Sequence, residues 1–85
     1  MANIEMYTKA FCPFCARAKA LFASKLAAVK EFDITMDSAL RDQMIVRANG
    51  SGTVPQIFID GRHVGGSDDL AALDAKGELD PLLQS

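Results

Sequence analysis

The spacing of apolar positions in the first third of the chain changes from that of a strand to that of a helix and back. Residues 2–7 are predicted as a strand, and residues 13–25 as a helix with Pro13 at its first position. The apolar stripe of this helix consists of Phe14, Ala18, Leu21 and Phe22. A second strand is predicted over residues 29–34, and a crossover of this kind pairs the two strands in parallel.

A second helix and a hairpin are predicted next. Asp37 or Ser38 offers the N-cap of the helix, and Asn49-Gly50 supplies its end. Residues 53–59 and 62–64 are predicted as antiparallel strands, because the Asp-Gly pair between them favours a two-residue turn.

The C-terminal part completes the predicted fold. A third helix begins at Ser67 and ends near Gly77, and Pro81 helps to start a terminal helical turn. The order β-α-β-α-β-β-α indicates an α/β protein with a four-stranded mixed sheet flanked by helices. With 85 residues and 49% hydrophobic content, the chain forms one domain, residues 1–85.

Composition and charge limit the classes of function. The chain begins without the basic and apolar regions of a signal peptide, and no later stretch could span a bilayer, so we expect a cytoplasmic protein without membrane contact. Residues 1–30 carry five Lys and Arg and one acidic residue, whereas residues 31–85 carry four and ten. This asymmetry suits an anionic partner of the first third, although such charges are commonly only solvated surface. Without a basic, aromatic-interleaved stripe, no nucleic-acid partner is expected.

Both cysteines of the chain lie at the predicted start of the first helix, as Cys12-Pro13-Phe14-Cys15. Three residues apart on one helical face, the two thiols can form and break a disulfide without unfolding the chain. The free N–H groups of the helix end favour a thiolate at Cys12, which we predict as the nucleophile. Cys15, one turn inside the helix, is predicted as the buried, protonated resolving thiol.

A structural thiol pair or half of a metal site is the alternative interpretation of Cys12 and Cys15. A structural zinc site needs four ligands, and His63 is the only further thiol or imidazole in the chain. We therefore expect no metal and favour a redox role for the pair.

Thr53-Val54-Pro55 is the second candidate element. A proline at the start of a strand, after an extended residue, suits a cis Val54-Pro55 bond that turns the chain towards the cysteines. The Val54 main chain would then be free to pair with an incoming peptide. An ordinary edge-strand proline is the alternative.

The third candidate element is the segment Gly65-Gly66-Ser67-Asp68-Asp69. Its glycines permit close approach, the helix start offers N–H groups to a carboxylate, and Asp68 or Asp69 can accept from an ammonium group. A small zwitterion would fit this segment, with its carboxylate at the N–H groups and its ammonium group at the aspartate. The same residues are also simply a good helix N-terminus.

Two further side chains, Phe14 and Lys9, are open to more than one interpretation. Phe14 is either an exposed rim beside the sulfur or the head of the buried stripe of its helix. Lys9 binds a ligand carboxylate, promotes ionisation of Cys12 or is merely solvated, and we favour one of the first two. His63 is predicted to lie on the surface.

Four segments together resemble the dithiol glutaredoxins, most closely the small bacterial ones of the glutaredoxin 3 type. They are Tyr7-Thr8-Lys9, Cys12-Pro13-Phe14-Cys15, Thr53-Val54-Pro55-Gln56 and Gly65-Gly66-Ser67-Asp68-Asp69-Leu70, and the resemblance covers nearly the whole chain. It implies a thioredoxin fold and a glutathione-dependent reductase of protein disulfides and protein–glutathione mixed disulfides, with Cys12 as nucleophile and Cys15 as resolving thiol.

The resemblance also implies how glutathione is held. Lys9 would meet its glycyl carboxylate, the Val54 main chain its cysteinyl unit, and Ser67, Asp68 and Asp69 its γ-glutamyl end. The site predicted for glutathione comprises Lys9, Phe14, Thr53, Val54, Pro55, Gly66, Ser67, Asp68 and Asp69.

Two positions depart from the family pattern. Phe14 stands where relatives commonly have tyrosine, and Ser67 stands where they often have cysteine. A monomer acting on disulfide-containing or glutathionylated proteins is expected. The alternatives are an iron–sulfur carrier whose cluster two Cys12 thiolates and two glutathiones hold, a related protein recycled by thioredoxin reductase, and a redox-inert interaction module.

Overall fold

The computed structural model describes residues 2–84 as one four-stranded sheet with helices on both faces. Its elements in chain order are β1 (Ile4–Thr8), α1 (Pro13–Ser24), β2 (Val29–Asp33), α2 (Ser38–Arg47), β3 (Gln56–Ile59), β4 (Arg62–Gly65), α3 (Ser67–Ala75) and α4 (Leu79–Leu83). The strand order is β2-β1-β3-β4. The β1–β2 pair is parallel and the other two pairs are antiparallel, so the predicted fold class is confirmed.

Several predicted boundaries differ from the structure, those of α1, β2 and β4 by a single residue. The first strand covers Ile4–Thr8 and not residues 2–7. Residues 53–55 lie outside β3, because Pro55 has no N–H to donate to the sheet. The last helix begins at Leu79, so Pro81 lies within its first turn, where N–H groups have no partner inside the helix.

The two faces of the sheet bury separate apolar clusters because successive side chains of a strand point in opposite directions. On β1, Met6 joins the cluster under α1 and α3, and Tyr7 joins the cluster under α2. The predicted stripe of α1 buries Ala18 and Phe22 in the first cluster. Full burial of a side chain such as Phe22 contributes roughly 2 kcal/mol to the free energy of unfolding.

A cation fixes α2 against the sheet. The Arg47 guanidinium lies 4.0 Å from the centre of the Phe58 ring and donates hydrogen bonds of 2.9 Å to Tyr7 Oη and Glu5 Oε1. These contacts attach α2 to the face of the sheet that lies opposite to α1. Across residues 2–84, no helix has the length and apolar content needed to cross a bilayer.

Candidate active site

Cys12 is the N-cap residue of α1, and its sulfur accepts a hydrogen bond from the first turn. The Cys12 backbone is extended, with φ −110° and ψ 103°, and the N–H of Cys15 lies 3.1 Å from Cys12 Sγ. In most helices an oxygen takes this position; here a sulfur does. The donor belongs to the positive end of the helix, so the contact directs a positive partial charge at the sulfur of Cys12.

Cys15 differs from Cys12 in burial. Its side chain is only 2% exposed, and both cysteines are free thiols. Burial, together with the smaller effect of its hydrogen bond with Cys12, raises the pKa of Cys15 to about 11. Cys15 therefore stays protonated at neutral pH, as expected for the resolving thiol.

A groove of about 310 Å³ runs beside Cys12 and collects most of the predicted glutathione residues. It is lined by Phe14, Thr53, Val54, Pro55, Gly66, Ser67, Asp68 and Asp69, together with Ser51, Gln56, His63 and Gly65. The Val54-Pro55 bond is cis, which confirms that prediction. The carbonyl oxygen of Val54 lies 3.9 Å from Cys12 Sγ, and Val54 makes no other hydrogen bond within residues 2–84.

The two acidic residues at the start of α3 have different surroundings. Asp69 Oδ2 accepts a 2.9 Å hydrogen bond from the N–H of Gly66, the N-cap residue, and so closes the first turn of the helix. Asp68 is exposed and makes no hydrogen bond or ion pair inside the described part of the chain. Asp68 is therefore the carboxylate that remains available to a ligand ammonium group.

Lys9 does not line this groove. It lies in a second depression with Phe11, Cys12, Pro13 and Lys19, and the groove and the depression share no lining residue. Cys12 lines the depression and reaches the groove through its contact with Val54. A ligand would therefore have to extend across Cys12 to meet both Lys9 and the start of α3.

His63 was predicted as a surface residue, and this prediction is wrong. It is partly buried in the wall of the groove, where its ring stacks on Phe58 with centroids 5.0 Å apart. Its Nε2 lies 2.7 Å from Gln56 Oε1, and Gln56 Nε2 donates to the carbonyl oxygen of Thr53 over 3.0 Å. The Asp-Gly turn carried the missed signal, because a two-residue hairpin turn places position 63 opposite position 58.

Two phenylalanines flank Cys12. Phe14 lines the groove with its side chain 49% exposed, and the Arg17 guanidinium lies 5.3 Å from its ring centre, so Phe14 forms a rim rather than heading the buried stripe. Phe11, not predicted as a site residue, has its side chain fully in solvent.

Comparisons with known proteins identify the family. The model of the Glutaredoxin family matches residues 4–64. Glutaredoxin 3 of Escherichia coli K12 is 58% identical over 84 residues, which are 99% of this chain and 100% of that protein. The chain belongs to the glutaredoxin family. It is a glutathione-dependent thiol-disulfide oxidoreductase of the glutaredoxin 3 type with a thioredoxin fold.

Solved structures of other glutaredoxins agree with this assignment. A crystal structure of the buckwheat glutaredoxin–glutathione complex superposes with a TM-score of 0.89 at 28% identity, covering 98% of this glutaredoxin and 77% of that chain. A structure described as "Metal Binding of Glutaredoxins" superposes with a TM-score of 0.76 at 50% identity. The match covers 100% of this glutaredoxin and 91% of that chain.

Proposed function

We propose that Cys12 is the nucleophile with which this glutaredoxin reduces protein–glutathione mixed disulfides and protein disulfides. The hydrogen bond from the N–H of Cys15 to Cys12 Sγ carries the proposal, because it points a donor of the helix N-terminus at the sulfur that attacks the substrate. The neighbouring Cys15 thiol is buried and protonated, so it does not compete for substrate.

With a glutathionylated protein, the Cys12 thiolate attacks the glutathione sulfur. The protein leaves as a thiolate that takes a proton from solvent, and a Cys12–glutathione disulfide remains. A second glutathione thiolate then attacks the glutathione sulfur of this disulfide. Oxidised glutathione departs and the Cys12 thiolate is restored, so glutathione supplies both electrons.

With a protein disulfide, Cys12 first forms a mixed disulfide with one substrate sulfur and releases the other. Cys15 then loses its proton and attacks Cys12 Sγ, which frees the reduced protein and leaves a Cys12–Cys15 disulfide. Two glutathione molecules reduce that disulfide in turn. The position of Cys15 one helical turn from Cys12 supports this route.

The groove supports a placement for glutathione. Its cysteinyl unit pairs with the main chain of Val54, and its γ-glutamyl end lies at Ser67 with its ammonium group on Asp68. Asp69 contributes by fixing the start of α3, and Thr53, Pro55, Phe14 and Gly66 complete the walls. Lys9, across Cys12, meets the glycyl carboxylate.

We further propose that the protein acts as a monomer in the cytoplasm. Helices of the chain itself pack on both faces of its sheet, which supports a monomer. The cytoplasm holds the reduced thiol pool that such a reductase needs. Sedimentation equilibrium of the reduced protein with glutathione tests the first point, and a dimer would contradict it.

Two cysteine variants test the catalytic assignment. Cys15→Ser should abolish reduction of protein disulfides by the dithiol route while sparing deglutathionylation, because the latter needs only Cys12. Cys12→Ser should abolish both activities. An active Cys12→Ser variant would refute the nucleophile.

The iron–sulfur carrier remains the second candidate, and it would need two subunits because each contributes one Cys12 thiolate. The related structure titled "Metal Binding of Glutaredoxins" is the observation that favours this carrier as a second candidate. An internal Cys12–Cys15 disulfide competes with such ligation. A stable brown dimer after anaerobic reconstitution with glutathione would establish the carrier, and a colourless protein would argue against it.

A further inference from the structure

Phe11 is the most exposed large apolar side chain in the described residues, and it directly precedes Cys12. Its exposure is 103% of the reference value, and its backbone has φ +56°. That left-handed conformation is unusual for a bulky residue and is costly without a compensating contact. The chain thus holds an aromatic ring in water, at an unfavourable backbone conformation, beside its reactive sulfur.

The position of Phe11 separates it from the glutathione groove. Phe11 lines the depression that contains Cys12 and Lys9, and it is absent from the lining of the groove. A glutathione held at Val54, Ser67 and Asp68 reaches this depression only with its glycyl end, which the proposed function places at Lys9.

The charged groups around Phe11 are mostly engaged within the chain. Lys19 Nζ lies 3.3 Å from Glu31 Oε2, and Asp33 Oδ1 accepts from the N–H of Thr35 over 2.8 Å. The proposed function assigns Lys9 to glutathione. The feature of this depression that can contact a protein substrate is then the apolar ring of Phe11.

The reaction determines what reaches this ring. In a glutathionylated protein, the sulfur of the substrate cysteine is bonded to the glutathione sulfur that Cys12 attacks, and the residues next to that cysteine follow at about 3.8 Å between Cα atoms. They consequently lie over the rim around Cys12, to which Phe11 belongs. A small mixed disulfide has no such neighbours.

We propose that Phe11 docks protein substrates by packing on an apolar side chain adjacent to their glutathionylated or disulfide-bonded cysteine. The proposal rests on the nucleophilic role proposed for Cys12. It makes Phe11 a specificity determinant: coverage of the exposed ring favours apolar-flanked protein cysteines over polar-flanked ones and over small disulfides.

The test compares three glutathionylated substrates. They are a short peptide with leucine on both sides of the cysteine, the same peptide with serine at those positions, and the mixed disulfide of free cysteine with glutathione. The enzymes are the full chain and its Phe11→Ala and Phe11→Leu variants.

Leu26→Ala is the matched control, because Leu26 is also exposed, at 89%, with φ +56°, but follows the far end of α1. Phe11→Ala should lower kcat/KM for the leucine peptide by about tenfold, given the loss of an aromatic contact. Its kcat/KM for the cysteine–glutathione disulfide should stay within about twofold of the original chain. Phe11→Leu should keep most of the preference for leucine, and Leu26→Ala should keep all of it.

Two results would overturn the docking role. One is an unchanged leucine-to-serine preference in Phe11→Ala, and the other is an equal loss on all three substrates, which would place Phe11 in the chemistry or the glutathione contact. Failure of the proposed function is separate, because it would show as cysteine–glutathione turnover that persists in Cys12→Ser.

Discussion

The Asp69 carboxylate occupies the space that a side chain at Gly65 would need. A Cβ built on Gly65 would lie 2.8 Å from Asp69 Cγ, and Gly65 has φ +117°. Glycine is thus required at position 65 for two reasons, its backbone conformation and its contact with the carboxylate that caps α3.

Gly65→Ala should therefore destabilise the protein by about 2–4 kcal/mol and raise the KM for glutathione, because Asp69 must move away from the N–H of Gly66. Gly50→Ala is the control, since Gly50 has φ +98° and nothing within 4 Å of a built Cβ. Its cost should be limited to the backbone term, about 1–2 kcal/mol. Urea unfolding measures both, and equal losses would contradict the role of the carboxylate.

Substitutions of Asp68 and of Asp69 should differ in their effects on glutathione binding and on stability. Asp68→Asn should weaken glutathione binding about tenfold while leaving the unfolding midpoint nearly unchanged, because Asp68 has no partner in the described chain. Asp69→Ala should lower stability by about 1 kcal/mol as well, since it removes the cap of α3. Calorimetric titration with glutathione and thermal unfolding of both variants provide the comparison. A large stability loss in Asp68→Asn would contradict the assignment.

The raised pKa of Cys15 predicts a stability change at high pH. A thiol whose pKa is higher in the folded state stabilises the fold fully below its unfolded value, and this contribution is lost as pH rises through the folded value. For Cys15 the window runs from about 9.0 to about 11. Across this pH window, the free energy of unfolding of the reduced protein should fall by on the order of 2 kcal/mol more than that of the Cys15→Ala variant.

Urea unfolding under reducing conditions at pH 8 and pH 11, for both proteins, measures this difference. Lysine and tyrosine titration is common to the two chains and cancels in the comparison. Parallel pH profiles would mean that burial does not hold the Cys15 proton.

His63 should support the wall of the groove that we propose for glutathione. His63→Ala removes the ring stacked on Phe58 and leaves Oε1 of Gln56, which is only 3% exposed, without its partner. We expect a loss of about 1–3 kcal/mol and a higher KM for glutathione, because Gln56 also bonds the Thr53 carbonyl. His63→Phe keeps the stacking and should recover stability in part but not the KM. Full recovery of both would show that the hydrogen bond is dispensable.

The order of elements was predictable because its signals are local in sequence. The Pro13 position, the Asn49-Gly50 stop and the Asp60-Gly61 turn each constrain a few neighbouring residues, and together they define the elements. The start of β3 was placed too early because apolar Val54 suggested a strand, whereas the missing N–H of Pro55 excluded it from the sheet.

The chemistry of the site was predictable only in part. Cys12 and Cys15 could be distinguished by their distance from the helix end, which the sequence specifies. The division of work between Asp68 and Asp69 depends on which carboxylate turns back to Gly66, and the solvent exposure of Phe11 depends on a left-handed backbone. The Asp69 contact spans only three residues, the spacing of a capping box, so the residue pattern carries that signal, whereas it carries none for the exposure of Phe11.

The hydrogen bond between the N–H of Cys15 and Cys12 Sγ also bears on the equilibrium between the two redox forms. A thiolate accepts such a bond better than a disulfide sulfur does, so the contact stabilises the reduced protein more than the oxidised one. Whatever stabilises the reduced form raises the reduction potential, by about 30 mV for each 1.4 kcal/mol. The contact that the proposed function uses to direct a donor at Cys12 therefore also makes the enzyme a weaker reductant.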